Sequence, residues 1–439
     1  MNIYMVGIKG SGMASLAQII FDLGYNVKGA DTNSFIFTEK NLKEKGIEIE
    51  PLDKMNYEDS DVIIVGNSFV GKYDFNDKKV INYQEAISIL NDKYYSIAVC
   101  GTHGKTTTTN MIKHVLSSVY ETSYLVGDGQ GKAYPNGRFF VYEACEHRDH
   151  FLNYHPNMIV CTNIDYDHVE YFTNKKHYKK TFRAFFNQCK DALILNNAIG
   201  TKHEKVFSFG LNNGSIKSQK IQYKENGIYF DLQYNKTVHK NLFVPFYGKH
   251  MLLNALACIS CCLYLNIDII TIIRQLQTYK EAGRRYNISF VKSNVIIDDY
   301  GHHPREIKAT IEAIRQEFKD KKLIILYHPD RPKRLSTFLE QYKKVFKLAN
   351  ITYVLPFISM DDEKQDALYR IVDNQHTQMY NDSLFNKIYE NYVFLFTGSK
   401  DMSSIIKKLI STLEHQWNSF RTILFDSKKI LFHKKKESC

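Results

Sequence analysis

The strongest chemical signal in this 439-residue chain is a glycine-rich loop that ends in lysine and threonine. It reads Gly101-Thr102-His103-Gly104-Lys105-Thr106-Thr107, and it lies between an apolar strand candidate at 96–100 and a helix candidate at 105–119. The backbone N–H groups of such a loop can surround a polyphosphate, the lysine can reach its phosphates, and the threonine hydroxyl can ligate Mg²⁺. The strict pattern has glycine where this chain has Val99, so we predict a shortened phosphate loop rather than a chance glycine-rich turn.

Two polar clusters at the ends of further strand candidates are the second chemical signal. Glu143-Ala144-Cys145-Glu146 follows the apolar run at 139–142, and Thr162-Asn163-Ile164-Asp165-Tyr166-Asp167-His168 follows the run at 158–161. Open α/β sheets bind ligands at such strand ends. Either cluster alone is also typical of an ordinary polar turn. Beside a phosphate loop they become candidate metal anchors, because oxygen ligands suit Mg²⁺ and an imidazole is more natural for Mn²⁺.

A second glycine-rich turn, near the N-terminus, is a candidate for binding a diphosphate. Gly7-Ile8-Lys9-Gly10-Ser11-Gly12 lies between the first strand candidate and a helix candidate at 13–23. Its spacing differs from the dinucleotide fingerprint G-x-G-x-x-G. Asp31 follows the next strand candidate, at 26–29, where a carboxylate can accept a hydrogen bond from a ribose hydroxyl. A tight turn without a ligand is the alternative, and the helix N-terminus favours diphosphate binding.

The last third of the chain carries polar groups that we expect to bind a substrate. Asp299-Tyr300-Gly301-His302-His303-Pro304 comes at the end of a strand candidate at 295–298. Adjacent histidines on one loop point in different directions, so substrate anchoring is favoured over a metal site. Arg331 and Arg334 follow the strand candidate at 323–327 and can pair with a carboxylate or a phosphate. Solvated surface arginines are the alternative for this pair.

Apolar runs of strand length alternate with helical patterns along most of the chain, which predicts parallel sheets covered by helices. We therefore expect an α/β protein of three domains, each with a mostly parallel sheet flanked by helices. They are a Rossmann-like domain at 1–93, a central phosphate-loop domain at 94–293 and a Rossmann-like domain at 294–414. Residues 217–244, which contain an Asn-Gly turn, predict an antiparallel insertion in the central domain. Residues 415–439 form a basic tail without an assigned role.

Composition excludes several classes of protein. Hydrophobic residues make up 44% and charged residues 24% of the chain, the mix of a globular protein. No apolar run reaches the length of a membrane span, no secretory leader is recognisable at 1–20, and the eight cysteines are scattered, so we expect a cytoplasmic protein without a membrane span. The net charge of +11 attracts anions in general. Because no nucleic-acid-binding motif is recognisable, we expect small-molecule partners rather than nucleic acid.

Taken in order, these motifs resemble those of the Mur ligase family. The matching segments extend from residue 1 to about residue 414 in the family's order: Gly7–Met13, Gly101–Thr109, Glu143–Glu146, Thr162–His168, Gly283–Tyr286 and Asp299–Pro304. The resemblance implies a first domain that binds a UDP moiety, a central domain that binds ATP and a third domain that receives an amino acid. An ordered set of motifs over most of the chain makes the resemblance specific.

Within the family, the motifs are most similar to those of ligases that join L-alanine to UDP-N-acetylmuramate. The resemblance implies ATP-dependent formation of an acyl phosphate on the lactyl carboxylate, followed by attack of the amine, in the synthesis of a peptidoglycan precursor. It also implies Mg²⁺ or Mn²⁺ as cofactor, and we expect a monomer or weak dimer. Two alternatives stay open: a Mur ligase that adds another amino acid or a peptide, and a catalytically weakened homologue that binds UDP-muramoyl ligands.

The resemblance also assigns roles to individual residues. Catalysis is assigned to Lys105, His168, Arg285 and His302. The metal is assigned to Thr106, Glu143 and His168. The ATP site is assigned to the loop residues 101–107 together with His250, Asn254, Arg285 and Asp299. The UDP-substrate site comprises Gly7, Gly10, Ser11, Gly12, Met13, Asp31 and Asn67. The muramoyl group and the amino acid are assigned to Tyr300, His302, Arg331 and Arg334.

The chain departs from the family pattern at two of these places. Met251 stands where the family has asparagine after the histidine matched by His250, which removes one expected hydrogen bond to adenine. The family segment of the type Gln-Pro-His-Arg-Tyr-x-Arg reads His328-Pro329-Asp330-Arg331-Pro332-Lys333-Arg334 here. Asp330 therefore replaces a substrate-facing histidine, and this replacement leaves the choice of amino acid open.

Overall fold

The computed structural model describes residues 1–201, 203, 205–281, 283–357, 366 and 368–415. These residues form two compact units that divide between residues 282 and 283. The first unit contains two sheets and the second contains one, and helices accompany each sheet. The predicted α/β class with three mostly parallel sheets is confirmed. Among the described residues, no helix combines the length and the apolar character needed to cross a membrane.

The first sheet is parallel throughout and has the strand order β3-β2-β1-β4-β5. Its strands are β1 (Asn2–Val6), β2 (Asn26–Asp31), β3 (Glu48–Pro51), β4 (Val62–Val65) and β5 (Lys79–Asn82). Its helices are α1 (Ser11–Asp22), α2 (Glu39–Glu44) and α3 (Tyr83–Lys93). The strand order reverses between β1 and β4, so the turn that follows β1 lies where open α/β sheets bind ligands.

The second sheet has ten strands in the order β15-β14-β13-β12-β11-β10-β6-β9-β7-β8. They are β6 (Tyr95–Cys100), β7 (Thr122–Leu125), β8 (Gly131–Lys132), β9 (Phe139–Glu143), β10 (Met158–Cys161), β11 (Ala192–Asn196), β12 (Val206–Leu211), β13 (Ile216–Lys224), β14 (Gly227–Tyr234) and β15 (Thr237–Val244). Its helices are α4 (Lys105–Ser117), α5 (Lys175–Phe186), α6 (Gly248–Tyr264) and α7 (Ile269–Thr278). Strands β6, β9 and β10 are parallel neighbours, which brings the polar segments after them to one edge.

The predicted antiparallel insertion is present as β13, β14 and β15. Both of its pairings contain a register shift, one between Gln219 and Gln222 and the other between Phe230 and Leu232. Such bulges bend a strand and increase its twist. The insertion extends the sheet at the side opposite to β8.

The second unit contains a six-stranded sheet in the order β16-β17-β21-β18-β19-β20. Its strands are β16 (Asn287–Val291), β17 (Asn294–Asp299), β18 (Lys322–Tyr327), β19 (Ile351–Val354), β20 (Thr377–Met379) and β21 (Tyr392–Thr397). Its helices are α8 (Pro304–Glu317), α9 (Pro332–Thr337) and α10 (Leu339–Phe346), and residues 403–415 are also helical. The loops after β17, β18 and β21 leave the same edge because these three strands are parallel neighbours.

Strand β16 pairs with the third sheet, whereas the predicted boundary between residues 293 and 294 put its residues in the central domain. A two-residue turn joins β16 to β17, and Lys292 in this turn has a φ of 57°. The turn contains neither Asn-Gly nor Asp-Gly, so the hairpin lacks the usual sequence signal. The domain boundaries themselves stay predictions, and the tail at 416–439 lies outside the described residues.

Helix α1 packs closely against the short strand β8 within the first unit. Ser15 Oγ donates a hydrogen bond to Val126 O (2.9 Å), and Gln18 Nε2 donates one to Gly129 O (2.8 Å). A Cβ atom at Gly131 would lie 1.9 Å from Ser15 O, far inside van der Waals contact. The approach of α1 to the second sheet therefore depends on glycine at position 131.

We expect Gly131→Ala to lower the free energy of unfolding of the first unit by about 1–3 kcal/mol, because the added methyl group overlaps a backbone carbonyl that cannot move alone. Urea unfolding followed by circular dichroism measures this change. Gly200→Ala is the matched control, since a Cβ at Gly200 meets no atom within 4 Å. Equal stability of the two variants would contradict the role of this close contact.

Candidate functional site

The predicted phosphate loop connects β6 to α4 with two glycines in the left-handed region. Gly101 has a φ of 132° and Gly104 a φ of 79°, conformations that a residue with a Cβ rarely adopts. A Cβ at Gly101 would lie 2.2 Å from Thr162 Oγ1, and one at Gly104 would lie 2.5 Å from Asn254 Oδ1. The segment after β10 and the first half of α6 therefore close directly on the loop.

Hydrogen bonds from the segment after β10 fix the loop. Asn163 Oδ1 accepts from His103 N (3.0 Å), and Thr162 Oγ1 donates to His103 O (2.6 Å). Thr102 Oγ1 donates to Asp165 O (2.7 Å). The polar cluster at 162–168 thus supports the loop backbone, a role that its sequence alone did not distinguish from metal binding.

A buried ion pair lies at the first residue of α4. Lys105 Nζ is 3.0 Å from Glu146 Oε2 and also donates to Gly101 O (2.6 Å). The Glu146 side chain is fully buried, and only 13% of the Lys105 side chain is exposed. Burial alone would lower the pKa of Lys105, but the negative charge of Glu146 outweighs it, so this pKa lies above its ordinary value. The Lys105 ammonium therefore stays charged beside the loop.

The predicted metal ligands Thr106 and Glu143 lie together. Thr106 Oγ1 donates to Glu143 Oε2 (2.7 Å), so two oxygen groups face each other beside the loop. A Cβ at Gly127 would lie 2.4 Å from the same Glu143 oxygen, and the absence of a side chain there leaves room around the carboxylate. Oxygen donors with space for water are the environment that Mg²⁺ requires, so these residues fit the metal implied by the resemblance.

His168, the third predicted metal ligand, lies against acidic groups other than Glu143. Its Nε2 atom is 3.6 Å from Glu146 Oε1, and its Nδ1 atom is 3.4 Å from Glu170 Oε1. Glu146 thus contacts Lys105 through one oxygen and approaches His168 with the other. Tyr178 OH also donates to Glu146 Oε1 (3.1 Å). The sequence placed Glu146 in a polar cluster, and its central position was missed because its partners are distant in the chain.

The remaining ATP-site residues of the first unit surround the same loop. Thr102 and Thr107 are buried, and Asn254 is 7% exposed at the contact with Gly104 described above. His250 lies in the first turn of α6 and is half-buried. Their roles at adenine and phosphate stay predictions.

The N-terminal glycine turn has the compact geometry that its sequence predicts. Gly7 has a φ of 79°, and a Cβ there would lie 2.5 Å from the Phe69 ring. Gly10 is the residue before α1, and a Cβ at Gly12 would lie 2.7 Å from Tyr83 OH. Ser11 begins α1, while Met13 is buried in the core.

Asp31 binds the turn itself. Its Oδ2 atom accepts from Lys9 N (2.7 Å), its Oδ1 atom accepts from Thr32 N (2.7 Å), and the residue is 5% exposed. In the structure this carboxylate holds the backbone of the turn. Its predicted contact with a ribose hydroxyl stays a prediction. Lys9, which the sequence did not single out, is also buried and donates to Thr32 O (2.6 Å) and Ser34 O (2.7 Å).

Asn67 lies next to the segment after β9. Its Nδ2 atom is 3.4 Å from His150 Nδ1. Burial and the charge of His147 lower the pKa of His150 to about 4, so this imidazole is neutral at pH 7. The predicted UDP-site residue Asn67 therefore meets the same segment that carries Glu146 and His147.

In the second unit, Asp299 organises the loop after β17. Its carboxylate accepts from Tyr286 N (3.0 Å), Gly301 N (3.0 Å) and Thr310 Oγ1 (3.1 Å). Asp299 is 9% exposed. These three bonds hold the loop that carries Tyr300 and His302, and the predicted ribose contact stays a prediction.

Tyr300, His302 and Arg285 form one cluster in this unit. The Arg285 guanidinium carbon lies 4.7 Å from the Tyr300 ring centroid, and the His302 ring lies 5.6 Å from the same ring. Tyr342 OH donates to His302 O (2.7 Å). The neighbouring His303 caps α8 and packs on Phe338. The two adjacent histidines therefore have different contacts, His302 with Tyr300 and His303 with the start of α8.

Arg334 is buried, which overturns the solvated alternative for this residue. Its side chain is 2% exposed, and its Nη1 atom donates to Asp330 Oδ1 (2.9 Å). The Arg331 side chain is 38% exposed, with Nε 3.9 Å from Asp330 Oδ2. Burial would raise the pKa of Asp330, but the charges of His302 and Arg334 hold it below its usual value. The residue that replaces the family histidine is thus an ionised partner of a predicted substrate-binding arginine.

Three family models, all of Mur ligases, match successive segments of the chain. Family models match at residues 2–95 (Mur ligase family, catalytic domain), 99–262 (Mur ligase middle domain) and 284–416 (Mur ligase, glutamate ligase domain). The UDP-N-acetylmuramate–L-alanine ligase of Pediococcus pentosaceus is 37% identical over 364 residues, which are 79% of this chain and 82% of that protein.

Solved structures share the fold. A UDP-N-acetylmuramate-alanine ligase from Thermotoga maritima superimposes with a TM-score of 0.78 at 24% identity, over 95% of this chain and all of that one. MurF ligase from Thermotoga maritima in complex with ADP gives a TM-score of 0.63 at 16% identity, over 90% of this chain and 95% of that one. At these identities the structures support the architecture alone.

We expect Glu146→Gln to lower the free energy of unfolding of the first unit by about 3–5 kcal/mol, because it leaves the buried Lys105 charge without its counterion. Urea unfolding monitored by circular dichroism measures the change. Asp92→Asn is the matched control, since it breaks the exposed pair with Lys190 (3.2 Å) and should cost less than about 1 kcal/mol. Similar losses in both variants would contradict the importance of burial for the Lys105 pair.

Proposed function

The chain belongs to the Mur ligase family, and from this premise we propose that it joins L-alanine to the lactyl carboxylate of UDP-N-acetylmuramate with hydrolysis of ATP to ADP and phosphate. The observation that carries the proposal is the similarity to the Pediococcus pentosaceus ligase over most of both chains. The product is a peptidoglycan precursor. The arrangement of Lys105, Thr106 and Glu143 at the loop after β6 supports the nucleotide chemistry.

The reaction needs activation because a carboxylate is a poor electrophile in water. Transfer of the γ-phosphoryl group of ATP to a carboxylate oxygen breaks the bond to ADP and forms an acyl phosphate. The amine of L-alanine then attacks the carbonyl carbon and loses a proton. Collapse of the tetrahedral intermediate breaks the C–O bond and releases phosphate, which leaves the new amide.

Residues of the first unit neutralise and position the phosphates. Lys105 supplies a positive charge that Glu146 and Gly101 O hold at the start of α4. The N–H groups of the loop and of the first turn of α4 add partial positive charge. Thr106 and Glu143 would hold Mg²⁺, which supplies further neutralisation of the transferred group when it is bound. Preorganised charge of this kind contributes most of the catalysis in phosphoryl transfer.

In the second unit, Tyr300, His302, Arg331 and Arg334 are the proposed residues for the amino acid and the muramoyl group. Arg285 is proposed for the γ-phosphate on the family resemblance. Asp330 makes this chain different from the family pattern, because its carboxylate already binds Arg334.

The cytoplasmic location and the oligomeric state, a monomer or weak dimer, also stay predictions.

The test is a mass-spectrometric assay with UDP-N-acetylmuramate, MgATP and an equimolar mixture of amino acids. We expect a mass gain of one alanine residue and equimolar ADP. A gain that matches another amino acid would overturn the choice of L-alanine and keep the ligase. No gain in spite of measured nucleotide binding would overturn the ligase and favour a homologue that only binds its ligands.

We expect the double variant Lys105→Met/Glu146→Gln to lose roughly a hundredfold in kcat, because one preorganised charge contact is worth about 3 kcal/mol in such sites. Removing both partners leaves no unpaired buried charge, so the loss of rate is separable from unfolding. The steady-state rate of ADP formation at saturating substrate gives kcat, and thermal melting shows whether the variant is folded. Wild-type kcat in a folded double variant would contradict the assignment of Lys105.

We expect Asp330→His to lower the KM for L-alanine, because the substitution frees Arg334 to bind an anionic group of the substrate. The expected change is about tenfold, which corresponds to the free energy of one charge-assisted hydrogen bond. Steady-state kinetics with L-alanine, glycine and L-serine measure the effect. Asp320→His, at an exposed turn of the same unit, is the control. Unchanged KM values for all three amino acids would exclude Asp330 as a specificity determinant.

A further inference from the structure

We propose that His147, His168 and Glu170 form a binding site for one Zn²⁺ ion, distinct from the oxygen-lined site at Thr106 and Glu143. One ligand atom from each of the three side chains lies within 4.8 Å of the others. Two imidazoles and a carboxylate are a common ligand set of zinc sites that keep an open position for water or substrate.

The distances from Glu170 to the two histidines match those of ligands around one ion, and the two imidazoles offer ligand atoms within 4.8 Å of each other. His147 Nε2 is 3.5 Å from Glu170 Oε1, and His168 Nδ1 is 3.4 Å from the same oxygen. Ligand atoms held at about 2.1 Å from a tetrahedral zinc ion are separated by roughly 3.4 Å. The three side chains therefore need little movement to accept the ion.

The backbone holds the two histidines close together. His147 begins a short 3₁₀ segment (His147–Asn153) after β9, and His168 follows β10, so parallel neighbours of β6 deliver both residues. Their ring centroids are 4.7 Å apart. His168 has a φ of 50°, and its carbonyl oxygen accepts from Tyr171 N and Phe172 N, both at 2.9 Å. A strained backbone conformation that is held by hydrogen bonds is typical of functional positions.

A second link joins the segments that carry the ligands. Tyr171 OH donates to Asp149 Oδ2 (2.7 Å), and Asp149 has a φ of 58°. This bond connects Asp149, two residues after His147, to the turn that carries His168 and Glu170. The site thus has a fixed frame on both sides, while Glu170 is 31% exposed and leaves access for an ion from solvent.

Glu146 lies where zinc-binding histidines commonly have an outer-sphere partner. His168 would bind the ion through Nδ1, and its Nε2 atom is 3.6 Å from the buried Glu146 oxygen Oε1. Ligation at Nδ1 leaves the proton of a neutral imidazole on Nε2, directed to this carboxylate. His168 then has no lone pair on Nε2 for a nucleotide-bound metal.

The two metal sites differ in the chemistry of their ligands. Thr106 and Glu143 offer oxygen ligands, which suit Mg²⁺, and the His147 cluster offers imidazole nitrogens, which suit zinc. The family resemblance assigns His168 to the nucleotide metal. Zinc at the cluster would withdraw it from that role, so zinc should slow the ligation; this consequence, unlike the binding itself, rests on the proposed function.

The binding test uses the full-length protein freed of metal with a chelator, without nucleotide or substrate. Titration with Co²⁺ as the spectroscopic substitute should show one equivalent bound, with a visible absorption band of a tetrahedral or five-coordinate site, and Zn²⁺ should displace it. His147→Ala and Glu170→Gln should each weaken binding at least about tenfold. His150→Ala is the matched control, because its ring lies 5.9 Å from that of His147 but offers no atom to the cluster.

Stoichiometric binding that His147→Ala and Glu170→Gln weaken and His150→Ala leaves unchanged supports the site. No stoichiometric binding, or equal affinity in wild type and Glu170→Gln, overturns it. Glu170 is exposed enough for its amide variant to fold, and thermal melting confirms this for each variant. These readouts need no turnover, so failure of the site and failure of the proposed ligase activity are distinguishable.

A second readout tests the consequence for catalysis. Under excess MgATP and buffered free Zn²⁺, we expect zinc to inhibit ADP formation, and we expect His147→Ala to need at least about tenfold more zinc for the same fractional inhibition of its own rate. Equal sensitivity of wild type and His147→Ala would overturn the link between this site and His168.

Discussion

The buried pair of Lys105 and Glu146 is the interaction on which the arrangement of the glycine loop after β6 depends. An ammonium placed at the N-terminus of a helix is opposed by the partial positive charge of that terminus and by the loss of water. Glu146 offsets both, and because it comes from the segment after β9, the pair also joins two parallel strands of the sheet at their carboxyl ends. The Lys105 charge is thus held at the loop only when β6 and β9 are paired in the folded sheet.

Glu146 extends this control to other groups. One oxygen holds Lys105, and the other approaches His168 and accepts from Tyr178. A change in the charge or ligation of His168 is therefore felt through one carboxylate at Lys105. The loop, the neighbouring pair of Thr106 and Glu143 and the histidine cluster form one electrostatic system, although their residues come from three separate segments.

The sequence predicted those parts of the site that are encoded locally. The strand, glycine loop and helix around Lys105 are contiguous, and their order follows from apolar periodicity and glycine positions. The pairing of Lys105 with Glu146 joins residues 41 apart, so composition and spacing did not reveal it. Arg334 was predicted as a substrate residue with a solvated alternative, and only the fold shows that Asp330 covers its charge. The hairpin β16–β17 was missed because Lys292 adopts a left-handed turn conformation without the usual Asn-Gly signal.

The antiparallel strands β13, β14 and β15 have a consequence for colloidal behaviour. Among the described residues they make β15 an outer strand of the ten-stranded sheet, and backbone groups left unpaired at such a border could recruit another chain. The bulge between Phe230 and Leu232 distorts this border, Asn241 N is already bonded to Asp231 Oδ1 (2.8 Å), and Lys240 is exposed on the strand. At the opposite border, β8 has only two residues. Both borders are thus poor templates for the addition of a strand from another chain, which is how edge strands promote aggregation.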